Sequence, residues 1–184
     1  NTPSRLHLGN GDGSFATGID IDASSGTTAM TTGDIDGDGD VDLIRYTPYA
    51  LASIGYYANN GGSNPFDQVT EAYIDTEVTN LEVITLGDMD NDGDLDLLLT
   101  GKRGSTYISK VYRNDAGKFE ESQTAGLTGV YRGAAVWGDY DNDGDLDLYL
   151  ANDGQADVLY KCTGPFQFTQ IPGANLADRG HGRG

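Results

Sequence analysis

Fifteen aspartates sit on a fixed grid in three nine-residue stretches. They are Asp34, Asp36, Asp38, Asp40 and Asp42; Asp88, Asp90, Asp92, Asp94 and Asp96; and Asp139, Asp141, Asp143, Asp145 and Asp147. Each stretch has carboxylates at positions 1, 3, 5, 7 and 9, glycine at 6 (Gly39, Gly93, Gly144) and an apolar residue at 8 (Val41, Leu95, Leu146). Carboxylates this dense repel one another, so a cation is needed to hold each loop shut. Ca²⁺ suits the donor set: it is a hard ion that takes about six to eight oxygens in a flexible cage, from carboxylates and backbone carbonyls alike. Glycine at position 6 permits the sharp turn around the ion. The side chains at positions 1, 3, 5 and 9 and the backbone carbonyl at 7 are the assigned ligands, giving three Ca²⁺ sites.

The flanking residues say what positions these loops. An EF-hand would need a bidentate glutamate at position 12, on a helix; Arg45, Leu99 and Leu150 stand there. The runs that follow, 41–44, 95–99 and 146–150, are short and apolar, and read as buried strands. Each loop therefore joins two strands.

A second motif alternates with the first. It runs from Leu6 through Asn10-Gly11-Asp12-Gly13 to Phe15, from Tyr56 through Asn60-Gly61 to Phe66, from Val111 through Asn114 to Phe119, and from Leu159 through Gly164 to Phe166. Strand, turn and strand is a hairpin signature, and the four phenylalanines are expected in the core. Asn10–Gly13 has too few carboxylates for a fourth ion and reads as a plain turn. The loops recur at intervals of 54 and 51 residues. Four antiparallel strands in about 50 residues is the size of one β-propeller blade. The expectation is an all-β chain of three complete blades, with approximate repeats at 27–80, 81–132 and 133–180. Residues 1–26 form an outer half-blade. A fourth strand is expected to begin at each phenylalanine, and Gly126 and Gly129 mark a crossing between blades.

Asp-x-Asp-x-Asp-Gly-x-x-Asp between two strands, followed by Tyr112-Arg113-Asn114 and then Gly117 and Phe119, resembles the FG-GAP/VCBS repeat of integrin-α-like, calcium-binding β-propellers. The segment from Gly87 to Phe119 and the run from Trp137 to Leu148 look like bacterial members. The resemblance implies side-chain ligands at Asp34, Asp36, Asp38, Asp42, Asp88, Asp90, Asp92, Asp96, Asp139, Asp141, Asp143 and Asp147. It implies carbonyl ligands at Asp40, Asp94 and Asp145.

Bulk composition narrows the function. The formal charge is −18 over 184 residues, and the loops hold 15 of the 29 acidic side chains. Three bound divalent ions would leave about −12, which argues against nucleic acid or an anionic membrane as partner. No apolar stretch has the length of a membrane span. The one cysteine, Cys162, makes no internal disulfide framework and reads as a small buried hydrophobe. Loops of this kind fill at millimolar calcium, which points to an extracellular, secreted or cell-surface setting. The chain does not begin with methionine and reads as processed, excised or incomplete.

No catalytic constellation stands out. His7 and His181 lie near no recognisable nucleophile, and the clustered aspartates are committed to metal. The reading is a non-catalytic binding or adhesion module, or a structural repeat unit. The alternative is the propeller part of a secreted polysaccharide-active lyase or hydrolase. The face opposite the aspartate loops carries the segments 46–53, 101–106 and 152–155, whose tyrosines and arginine suit protein or carbohydrate contact. A propeller needs about four or more blades. The remainder of a longer chain, or other copies, is therefore expected to complete the ring.

Overall fold

The computed structural model describes residues 5–7, 9–20, 27–48, 53–61, 66, 72–123, 125–130, 132–153 and 155–172. Among these residues there are fourteen strands and no helix. Two short strands, β1 (Arg5–Leu6) and β2 (Ile19–Asp20), pair antiparallel, and a Gly9–Phe15 bridge lies inside their hairpin.

Three four-stranded sheets follow in chain order. The first holds β3 (Ala29–Gly33), β4 (Asp42–Thr47), β5 (Ser53–Tyr57) and β6 (Ala72–Asp75). The second holds β7 (Asn80–Gly87), β8 (Asp96–Arg103), β9 (Thr106–Asp115) and β10 (Lys118–Glu121). The third holds β11 (Ala134–Gly138), β12 (Asp147–Ala151), β13 (Val158–Gly164) and β14 (Gln167–Gln170). Each is an antiparallel meander, and the first strands stand side by side, β3 against β7 and β7 against β11. These are propeller blades radiating from a shared inner edge.

The cores lie between the sheets. Ile44, Tyr46 and Ile54 of the first sheet pack with Leu97, Leu99 and Tyr112 of the second. Leu98 and Val111 face the other way, onto Leu148, Leu150 and Tyr160 of the third. Successive strand residues point to opposite faces, so the run Leu97-Leu98-Leu99 is buried on both sides. Buried polar contacts add to the first interface. Asp75 accepts hydrogen bonds from Lys110 Nζ at 2.8 Å and from the Tyr112 hydroxyl, and the Asn114 side chain donates to the Ile35 carbonyl at 2.7 Å.

Several expectations change. Phe15 is 69% exposed, because its hairpin has no facing sheet among the described residues, whereas Phe166 is buried. The fourth strand of the first blade spans Ala72–Asp75 and does not begin at Phe66, which lies in a turn. Phe166 precedes β14 with φ 55°, so its strand starts one residue later. Tyr46, placed on the ligand-facing side by sequence, is 1% exposed core. Asn10–Gly13 is a turn closed by Asp12, which accepts from Ser14 N and Oγ. Cys162 is buried. Tyr49, His181 and the tail 173–184 lie outside the described residues.

Candidate metal centres

All three aspartate loops hang from the same register. The residue before each loop pairs with its ninth position: Gly33 with Asp42, Gly87 with Asp96, Gly138 with Asp147. Eight residues are thus looped out between two hydrogen-bonded strands. The turn needs left-handed backbone twice, at position 6 (Gly39 93°, Gly93 100°, Gly144 95°) and at position 4 (Gly37 76°, Asn91 60°, Asn142 61°). Glycine and asparagine tolerate that region best, and asparagine at position 4 was a signal sequence reasoning passed over.

In each loop three carboxylates bring one oxygen apiece within 4.8 Å of one another: Asp34, Asp36 and Asp38; Asp88, Asp90 and Asp96; Asp139, Asp141 and Asp147. Asp42, Asp92 and Asp143, assigned as ligands from sequence, lie outside these closest groups. The side chains of Asp40, Asp94 and Asp145 belong to none of them. Asp94 accepts from Ala116 N at 3.0 Å, and Asp145 from Asn91 Nδ2 of the neighbouring loop at 2.9 Å.

The aspartates divide by task. Position 1 folds the loop: Asp88 accepts from Asp92 N and Gly93 N, each at 3.1 Å, and Asp139 repeats this with Asp143 N and Gly144 N. Asp34 accepts from Gly37 N and Gly39 N. Position 9 is a buried staple, which sequence reasoning missed by counting it only as a ligand. One oxygen of Asp42, Asp96 and Asp147 accepts from the position 2 N–H (Ile35, Met89, Tyr140), each at 2.9 Å. The other accepts from the third strand or its end, at Asn59 N (2.7 Å), Asn114 N (2.9 Å) and Cys162 N (2.9 Å).

Electrostatics bears on what these loops can hold. Burial, ahead of the repulsion from Asp90 and Asp92, pushes Asp96 up to about 6 despite its two N–H donors. Burial likewise raises Asp42 and Asp90. Asp90 Oδ1 is buried with no hydrogen-bond partner. A buried carboxylate oxygen without a donor, on a side chain clustered with Asp88 and Asp96, fits a hard divalent cation.

Basic side chains reach two of the loops: the Tyr112-Arg113-Asn114 motif includes one of them, but the sequence does not signal its contact with the carboxylates. Arg113 lies 3.3 Å from Asp90 and 3.1 Å from Asp92. Lys161 pairs with Asp141 and lies 2.7 Å from Asp143. At the first loop the Tyr56 hydroxyl donates to Asp36 at 3.0 Å.

A family model described as the FG-GAP-like repeat matches residues 1–44 and 88–150, more than half of the chain and all three aspartate loops. No curated protein and no solved structure matches it.

Proposed function

Because the chain belongs to the FG-GAP-like repeat family, we propose that it is a calcium-stabilised, non-catalytic binding or adhesion module of an extracellular, secreted or cell-surface propeller. The orphaned, buried Asp90 Oδ1 carries the calcium part of this reading. Asp88, Asp90, Asp92 and Asp96 would hold the ion in the second blade, with the Asp94 carbonyl. Asp34, Asp36, Asp38, Asp42 and the Asp40 carbonyl would do so in the first. Asp139, Asp141, Asp143, Asp147 and the Asp145 carbonyl would serve the third. The ion supplies positive charge that offsets the carboxylate repulsion. The protein's own part is to fold the loop through position 1 and pin it through position 9.

Partner contact is assigned to the face opposite these loops, where Arg103 and the 44% exposed Tyr107 stand at the β8–β9 turn. The propeller extends beyond these three blades, and the packing of the blades supports this. A Cβ built at Gly33 would meet Leu95 and Leu86 of the second blade, and one at Gly87 would meet Leu146 and Trp137 of the third. At Gly138 the same socket meets nothing among the described residues, and a cavity of about 200 Å³ opens there between Val136, Tyr149 and Leu159. A further blade with an apolar residue at loop position 8 has the shape to fill it.

Thermal unfolding tests calcium stabilisation. At calcium a hundredfold above Kd, each filled site adds about 2.7 kcal/mol if the unfolded chain does not bind. The melting temperature is expected to rise by many degrees between excess chelator and millimolar calcium. Equal melting temperatures would falsify the reading. Incubation with polysaccharides, with no degradation expected, tests the non-catalytic part.

A further inference from the structure

The three loops resemble one another in sequence but differ in the side chain that the third strand sets beside them. Equivalence is fixed by the staple: Asn59, Asn114 and Cys162 donate their backbone N–H to the ninth carboxylate of their own loops. The preceding residue is therefore the same structural position in each blade. It is Ala58 in the first, Arg113 in the second and Lys161 in the third. Arg113 lies within 3.3 Å of carboxylates at positions 3 and 5 of its loop, and Lys161 contacts the same two positions of its own. Ala58 brings no charge to Asp36 and Asp38; the contact there is the neutral Tyr56 hydroxyl on Asp36.

We propose that this one strand position grades the three sites for a divalent cation, with the first loop the tightest and the second and third weakened by a built-in cation. The inference rests on the calcium reading above. A resident positive charge opposes an incoming one at ligand distance, and it also occupies the oxygens the ion needs. The same charge partly neutralises the second and third loops when no ion is bound. Those two loops thus keep their shape in low calcium, while the first depends on the ion. Arg113 and Lys161 act here as positioning residues that set affinity through the carboxylates; neither is a ligand.

Calcium titration calorimetry on the whole chain tests this, with Arg113→Gln, Lys161→Gln and Ala58→Lys made singly. Wild type is expected to show one tight site and two weaker ones. Arg113→Gln and Lys161→Gln should each tighten one of the weaker sites by about three- to tenfold, and the gain should shrink as salt is raised. Ala58→Lys should weaken the tight site by a similar factor. Arg113 and Lys161 lie at the loop surface, whereas Ala58 is half-buried against the first core, so melting in saturating calcium checks that each variant folds. Three equal wild-type sites untouched by the variants would overturn the grading and leave the calcium reading standing. Weaker binding in Arg113→Gln or Lys161→Gln would overturn it too, by showing that the cation assists the site. No calcium binding at any loop would remove both.

Discussion

At the scale of the residue, one amino acid does different work at different steps of the same loop. Asp147 is 1% exposed and holds two backbone N–H groups, whereas Asp143 is exposed and answers to Lys161. Asp147→Ala strands two donors, at about 1–3 kcal/mol each. In chelator, where metal binding plays no part, it is expected to lower stability by about 2–5 kcal/mol. Asp143→Ala, at an exposed position, should cost far less. Urea unfolding in chelator measures both, and equal losses would show that position 9 is no staple. The buried carboxylates also set a pH dependence. Asp96 titrates near 6 in the fold, raised by burial first, against an ordinary value of 3.8. It therefore binds protons more readily folded than unfolded, so its contribution to the stability of the ion-free protein grows as pH falls from neutrality through about 6. Asp42 and Asp90 are raised in the same direction. In chelator the protein should melt higher at pH 5 than at pH 7; in saturating calcium this gain should vanish, since protons then compete with the ion. A lower melting temperature at pH 5 in chelator contradicts the assignment. The grid of aspartates was legible in the sequence because its period is explicit. The staple was not, because one of its two donors in each loop, such as Cys162 N, sits fifteen or more residues downstream, and both belong to the backbone, which sequence does not distinguish.

At the scale of the element, the glycine that ends each inner strand shows how one motif position acquires three different meanings. Gly33, Gly87 and Gly138 all pair with a ninth-position aspartate. A methyl group at Gly33 would stand 2.7 Å from Leu95 Cδ1 and 3.0 Å from Leu86 Cδ1, and one at Gly87 3.2 Å from both Leu146 and Trp137. At Gly138 it would meet no atom of the described residues within 4 Å. Gly33→Ala is expected to cost about 1–3 kcal/mol by overpacking, since leucine tips yield only in part. Gly87→Ala should cost less, and in the 184-residue chain, with no further blade seated on the third, Gly138→Ala should be neutral or slightly stabilising. Denaturant unfolding in saturating calcium ranks the three, and a loss at Gly138 as large as that at Gly33 would show that the socket is not what distinguishes them. The strands themselves were readable from short apolar runs bounded by turn residues. The sockets were not, since a glycine before an aspartate loop reads the same whether or not a leucine from the next blade is seated on it.

At the scale of the whole molecule, no described blade owns its core. Leu97 and Leu99 look to the first sheet and Leu98 to the third, so the second sheet is buried only by having both neighbours. The run of three leucines announced burial, but periodicity says nothing of what lies on each side. That explains why Tyr46 read as a loop aromatic and Phe15 as a core residue. Ion pairing strengthens the coupling: Asp75 of the first blade, 3% exposed in its side chain, is tied to Lys110 of the second, which also reaches Glu121. Burial alone would raise Asp75, yet Lys110 and Tyr112 outweigh it and hold the carboxyl below its ordinary value. Sheets joined in this way should unfold together, as repeats do when their interface terms dominate their intrinsic ones. Trp137, the one tryptophan, sits at the interface of the second and third blades against Gly87 and Phe168, and so reports on this end of the molecule. Far-UV circular dichroism reports all the sheets. In saturating calcium, urea transitions followed by the two signals are expected to coincide. Asp90→Ala, which alters the second loop alone, should move both to lower urea by the same amount. Separate midpoints, or a shift confined to one signal, would mean that the blades fold as independent units and that the shared cores do not bind them into one.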